Sequence, residues 1–258
     1  MIYQSLATEK MVETYFANHA FYTACIEGKL HDAQRIHTAM ENTWDNMDTI
    51  TYGLQLFRNK WKHMFDATNT KYSYENIFAV ACNNGHFEVV KWLNAMKPRL
   101  NAFTKHNGFT AFAESCMRGH LKIAKWLYRI TSNYYQCQLY DYSIFHFACA
   151  NGHLQVVQWL NEICPIMTDD MSEARYIFIQ LTFRYAAEKG HCKILQFLNH
   201  LIPGICADQY DILFQLACQM NHLNTAEWFV LQCPHNFRIV SYDERSIQYE
   251  IKEKEKEK

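Results

Sequence analysis

Histidine and cysteine are the residues in this sequence most able to do chemistry. There are thirteen histidines and ten cysteines among 258 residues. Histidine carries protons near neutral pH and ligates metals. A thiolate beside an imidazole base attacks carbonyl carbon. The adjacent pair His191-Cys192 has the right types for that attack. Zinc would need closely paired ligands, and no CxxC pair occurs; Cys137 is followed only by Gln138 and Leu139. Phosphate chemistry has less support still. Glycine is scarce, at eight residues, and neither GxGxxG nor GxxxxGK[ST] is present.

Position along the chain changes the meaning of these residues. The stretch Ala148-Cys149-Ala150-Asn151-Gly152-His153-Leu154-Gln155-Val156-Val157-Gln158-Trp159-Leu160 recurs as Ala81–Leu93, Ser115–Leu127, Ala186–Leu198 and Ala217–Phe229. It reads as a short helix, a turn and a second helix. Val156, Val157, Leu160 and Ile163 give the second helix one apolar face. The turn residues Gly85, Gly119, Gly152, Gly190 and Asn221 are 34, 33, 38 and 31 apart, and glycine or asparagine suits a left-handed helix end. All four prolines stand six residues after the aromatic of a second helix, where a helix must stop. The 38-residue interval predicts a longer loop around residues 168–174.

Two-helix units with one apolar face must stack to bury it. Stacking puts His86, His120, His153, His191 and His222 in one ladder. It puts Cys25, Cys82, Cys116, Cys149 and Cys218 at one small, buried position of the first helix. Successive copies would lie about 10 Å apart, a helix-packing distance, too far for disulfides. Cys164, Cys206 and Cys233 follow second helices and are expected to be accessible. A reducing compartment fits. Trp92, Trp126, Trp159 and Trp228 also share one phase, which makes them packing residues.

The rest of the chain frames the array. Residues 20–40 hold a degenerate unit, Ala24-Cys25-Ile26-Glu27-Gly28. Trp44, Met47, Ile50, Leu54, Phe57, Trp61, Met64 and Phe65 form an amphipathic helical stripe over 43–65, read as packing on the first repeats or binding a partner. Residues 241–258 read as a charged, disordered tail ending in alternating lysine and glutamate. Formal charge is -1, from 25 basic and 26 acidic residues, so no bulk attraction to nucleic acid or anionic membrane is expected. The first ten residues do not resemble a secretory signal, and no apolar run is long enough to span a bilayer.

The period near 33, the Gly-His turn and the Val-Val-x-x-Leu second helix resemble ankyrin repeats. Asn107-Gly108-Phe109-Thr110-Ala111-Phe112 and Ser143-Ile144-Phe145-His146 are similar to that family's Thr-Pro-Leu-His opening, without its proline. The Gly-His-x-x-Val-Val-x-Trp-Leu variety is similar to ankyrin proteins of giant viruses, protists and intracellular bacteria. The resemblance implies an all-α, ankyrin-type solenoid with an N-terminal helical region over 1–70 and about five repeats over 71–240. It implies that each ladder histidine bonds backbone in the neighbouring loop. It also implies a protein partner docked on finger tips and on the two residues after the Ala-Ala pair. By register these are His106, Asn107, Phe109, Met117, Arg118, Leu139, Tyr140, Tyr142 and Asn151. The next repeats contribute Ile177, Phe178, Gln180, Glu188 and Lys189, then Asp208, Gln209, Asp211, Gln219 and Met220. Tyrosine and methionine are enriched at interfaces, so Phe109–Tyr142 is the expected centre. The expected function is adaptor, decoy or inhibitor, in the cytoplasm or in a host's. No enzyme activity, cofactor, metal, nucleic acid or membrane partner is expected, and the chain is expected to be monomeric. A cysteine-dependent enzyme and a purely structural assembly module are the alternatives.

Overall fold

The computed structural model describes residue 17 and residues 19–44, 74–96, 105–106, 109–131, 143–166, 173–204, 206–243 and 245–251. The described chain is helical apart from two short hairpins. Contacts divide it into two compact units, residues 1–115 with 122–131, and residues 116–121 with 132–258.

In the first unit, helix α1 (19–26) and α2 (Leu30–Trp44) form the degenerate repeat. Helices α3 (Tyr74–Asn83) and α4 (Phe87–Met96) form the next. A two-residue hairpin, β1 (Lys105–His106) and β2 (Phe109–Thr110), leads into α5 (Ala111–Met117) and α6 (Leu121–Ile130). Phe21, Phe78, Phe112, Val90, Leu93 and Leu127 are fully buried. Trp92 lies edge-on to Phe21 and His37, and Trp126 edge-on to Phe87. The stripe expected over 43–65 lies outside the described residues apart from Thr43 and Trp44, which end α2.

The second unit contains α7 (Ser143–Ala150) and α8 (Leu154–Ile163), α9 (Glu173–Glu188) and α10 (Cys192–Leu201), and α11 (Tyr210–Gln219) and α12 (Leu223–Gln232). First helices pack on one another, α7 on α9 and α9 on α11. Helix α9 has 16 residues against 8 in α7 and 10 in α11. Of the loop expected around 168–174, residues 168–172 lie outside the described residues, and residues 173 and 174 are already helical. Apolar residues at 177, 178, 179, 181 and 183 let that first helix grow instead of breaking.

The chain after α12 departs from the expected disordered tail. Strands β3 (Phe237–Tyr242) and β4 (Ile247–Ile251) pair antiparallel, with a bulge between Ile239 and Ser241. Phe237 and Ile247 are buried. Phe237 stacks on Phe214 of α11 at 4.5 Å, and Tyr249 meets the same ring edge-on. Helix α11 belongs to the last repeat and has an apolar side with no further repeat to cover it. The hairpin covers it. Asp243 closes the turn by accepting the Arg245 and Ser246 amides at 2.7 and 2.8 Å. Residues 252–258 lie outside the described residues.

Each helix pair is joined the same way. In the opening phrase the Gly152 N–H bonds Cys149 and the His153 N–H bonds Ala148, both at 3.0 Å. This is a Schellman closure of α7. The His153 carbonyl then accepts the Val156 and Val157 amides and starts α8. Gly152 has φ 80°, which a side chain disfavours. A second reason for glycine comes from the neighbour. A Cβ on Gly152 would lie 2.6 Å from His191 Cε1, and one on Gly190 2.5 Å from His222 Nδ1. The imidazole of the following repeat rests on the glycine Cα. The last turn has Asn221 at φ 58°, with the hairpin following it in place of another histidine. Its amide reaches the Asp243 carbonyl at 3.4 Å.

Gly152→Ala should therefore cost more than the left-handed strain of about 1–2 kcal/mol alone. Adding His191→Ala should recover part of the excess in a double-mutant cycle read by urea denaturation. Additive effects would show that the ring does not constrain the glycine.

Candidate functional site

The ladder histidines are held by backbone. His86 Nε2–H donates to the Ile26 carbonyl at 2.7 Å, His191 to Ala150 at 3.0 Å, and His222 to Glu188 at 2.8 Å. His153 bonds the Met117 carbonyl. A carbonyl can only accept, so Nε2 carries the proton in His86, His191 and His222. None caps its own helix with its side chain where the cap is described. Burial lowers the pKa of His153 and His191 from the ordinary imidazole value.

An asparagine supports the histidine in two turns, a contribution the sequence reading missed. Asn84 Nδ2 donates to Ile26 O and Asn151 Nδ2 to Met117 O, both at 3.0 Å. Each carbonyl thus receives an amide and an imidazole. The signal was available in Asn-Gly-His at 84–86 and 151–153, two residues of one face bracketing the glycine.

Burial keeps the first-helix thiols protonated. Cys25, Cys82, Cys116, Cys149 and Cys218 are buried. Burial raises all five, to about 12 at Cys25 and Cys218. Cys206, expected to be accessible, is instead 1% exposed and pushed up to about 12, because Ile202, Tyr210 and Leu213 also turn inward there. Cys164 and Cys233 are partly exposed. At the His191-Cys192 pair, the imidazole bonds Ala150 while burial and Glu227 raise the thiol. A nucleophilic cysteine needs a lowered pKa. Among the described residues no group of three potential metal ligands occurs, and no helix is long and apolar enough to cross a membrane.

The register-predicted contact residues fall unevenly. His106 and Phe109 pair across β1 and β2. Met117 is half-buried and gives its carbonyl to Asn151 and His153, while Arg118 is exposed. Asn107, Leu139, Tyr140 and Tyr142 lie outside the described residues. Ile177, Phe178 and Gln180 were expected near a finger and stand within α9.

The outer side of the first helices in the second unit holds what stacking leaves over. On α9, Ile177, Leu181 and Tyr185 are 49%, 43% and 42% exposed, and Ile212 on α11 is 62% exposed. His146 of α7 joins them. Its Nδ1 lies 2.9 Å from Thr182 Oγ1, whose own proton goes to the Phe178 carbonyl. Nδ1 is therefore the donor. The ring packs among Phe147, Phe178 and Tyr185, and burial lowers its pKa. Leu181, Tyr185 and Ile212 were not among the sequence candidates. The signal was a helix whose apolar residues fall on more than one side, buried at 179, 183 and 186 and exposed at 177, 181 and 185.

The profile of the family described as Ankyrin repeats (3 copies) matches residues 36–141 and 77–170. No curated protein matches the chain.

Histidines 146, 153 and 191 share a direction of shift, and its sign sets an acid sensitivity. Their folded pKa values lie below the unfolded value near 6.5. Below about pH 6.5 the unfolded chain binds protons first, so stability is full above that pH and falls as pH drops through the folded values. The urea midpoint should decline from pH 7 to pH 5, and His191→Gln should flatten the decline. An unchanged slope would detach the ladder from the acid response.

Proposed function

The chain belongs to the ankyrin-repeat family, and on that premise we propose that it docks a protein partner on the concave side of its array. Ankyrin repeats are in general protein–protein interaction modules and typically not enzymes. The role proposed is adaptor, decoy or inhibitor, with no covalent step and no cofactor, acting as a monomer. A host's cytoplasm is the proposed location for a viral or bacterial effector of this repeat variety.

One observation supports a binding role above the others. The groups best suited to chemistry are engaged by the fold itself. The imidazoles of His86, His191 and His222 donate to carbonyls, and the thiols of the first helices are buried and protonated. What remains for a partner is surface. The proposed contact set is His106, Asn107, Phe109, Met117, Arg118, Leu139, Tyr140, Tyr142 and Asn151. Arg118 is exposed and its fork suits a carboxylate. Asn151 is already bonded to Met117, so a partner would meet an arm of the scaffold there.

Affinity capture with the full chain, followed by mass spectrometry, tests the reading against the doubly substituted Tyr140→Ala/Tyr142→Ala protein. Loss of a captured protein supports this surface. Equal capture by both proteins removes it from the fingers while leaving binding elsewhere.

A further inference from the structure

We propose that Cys206 and Cys233 are a redox pair, which glutathione disulfide converts to a disulfide that closes the open end of the α11–α12 helix pair. The proposal concerns the fold alone and does not depend on the protein-binding reading.

The two cysteines recur as a pair. Cys206 stands 15 residues before the turn residue Asn221, and Cys233 stands 12 after it. Cys137 and Cys164 have the same two spacings about Gly152. The repeats that turn at Gly85, Gly119 and Gly190 have cysteine at neither place, with Thr70 and Lys97, Thr104 and Thr131, and Arg175 and Ile202 instead. Where one member of the pair occurs, so does the other. Packing alone does not couple two positions at opposite ends of a repeat in this way, whereas a bond between them does. Cys137 lies outside the described residues, so the last repeat supplies the geometry.

The helix pair brings the two places together. α11 and α12 are joined at Asn221, so the start of α11 lies beside the end of α12. Tyr210, the first residue of α11, has its ring centroid 6.2 Å from Trp228 and 5.5 Å from Phe229 of α12. Cys233 is one turn beyond Phe229, with its amide bonded to the Phe229 carbonyl at 3.0 Å. Cys206 is four residues before Tyr210, and its carbonyl accepts the Gln209 amide at 2.9 Å. Burial first, and then the sulfurs of Cys206 and Cys233, raises the Tyr210 phenol. The two thiols therefore flank one side chain, within one compact unit. A disulfide needs Cα atoms within about 7 Å of each other, and the loop before α11 has room to adjust. An added Cβ at Gly204 would meet nothing within 4 Å, while one at Gly152 or Gly190 would strike a histidine ring.

Exposure orders the two steps. Cys233 is partly exposed and Cys206 is 1% exposed, so Cys233 meets the oxidant first. Its sulfur gives up a proton and bonds one sulfur of glutathione disulfide. The S–S bond of the oxidant breaks, and the departing glutathione takes the proton. The Cys206 sulfur then bonds the Cys233 sulfur, and the second glutathione leaves with the Cys206 proton. Two protein thiols lose two electrons, and glutathione disulfide is reduced to two glutathione thiols. Burial holds the Cys206 thiol up at about 12, which makes the second step the slow one. The bond encloses α11, the turn and α12, and it restricts the unfolded chain over that length.

The full chain, incubated with excess glutathione disulfide, quenched with iodoacetamide and digested without reductant, tests the proposal by mass spectrometry. A peptide linking Cys206 to Cys233 should appear. The urea midpoint should rise with it and fall back on adding dithiothreitol. Cys206→Ala should halt at a glutathione adduct on Cys233 and abolish the rise. Cys233→Ser, at the more exposed place, should leave Cys206 unmodified; circular dichroism checks that both variants keep their helices. A lasting Cys233–glutathione adduct in the unsubstituted chain, Cys206 linked to a different cysteine, or both thiols unchanged by the oxidant would overturn the proposal. So would a linked peptide whose formation leaves the urea midpoint where it was.

Discussion

The imidazole that reaches from one repeat to the backbone of the one before it sets the terms for the rest of the structure. A carbonyl at the end of a first helix has no partner within its own helix. The following repeat supplies a donor by placing histidine at the start of its second helix. The ring must cross above the preceding turn to get there, so that turn cannot carry a Cβ. One hydrogen bond thus fixes two residue types in consecutive repeats. The Ile26–His86 bond at 2.7 Å shows the arrangement in the first unit, and the Glu188–His222 bond at 2.8 Å shows it near the end of the second.

The same constraint explains the ends. The first described repeat has Gly28 to receive a ring, and Lys29 where a histidine would reach back. Lys29 keeps the Schellman bond to Ala24 at 2.8 Å and turns its amine to Glu27. The last repeat has the converse pattern. His222 reaches back to Glu188, while Asn221 keeps a side chain whose amide reaches the Asp243 carbonyl of the hairpin. The β3–β4 hairpin then does for α11 what another repeat would have done. Covering terminal apolar surface is a general need of repeat arrays, and here two strands meet it with Phe237, Ile247 and Tyr249.

The ladder, the buried cysteines and the helix pairs were readable in the sequence because they recur, and recurrence separates packing from chemistry. Features that occur once were harder to read. The hairpin has a period-two pattern at Ile247, Tyr249 and Ile251, but five residues beside a lysine–glutamate run look like tail. Its stability depends on Phe214, some thirty residues earlier, which no local pattern reports. The length of α9 was hidden by the register itself, since an insertion aligned to its neighbours looks like loop. The exposed side of α9 was hidden for a related reason. Leu181 and Tyr185 count as core by residue type, and only the packing of 179, 183 and 186 shows which side faces out. The finger residues Tyr140 and Tyr142 were inferred from register alone, and their role rests on the proposal made for them.

The central claim is that the ladder histidines are structural donors with a fixed tautomer, opposite to that of His146. Long-range nitrogen–proton NMR spectra of the imidazoles at pH 7.5, assigned by substitution, test it directly. The account predicts the Nε2–H form for His86, His153, His191 and His222, and the Nδ1–H form for His146 with Thr182 as acceptor. Nδ1–H tautomers on the ladder, or spectra averaged by exchange between the two forms, would contradict it.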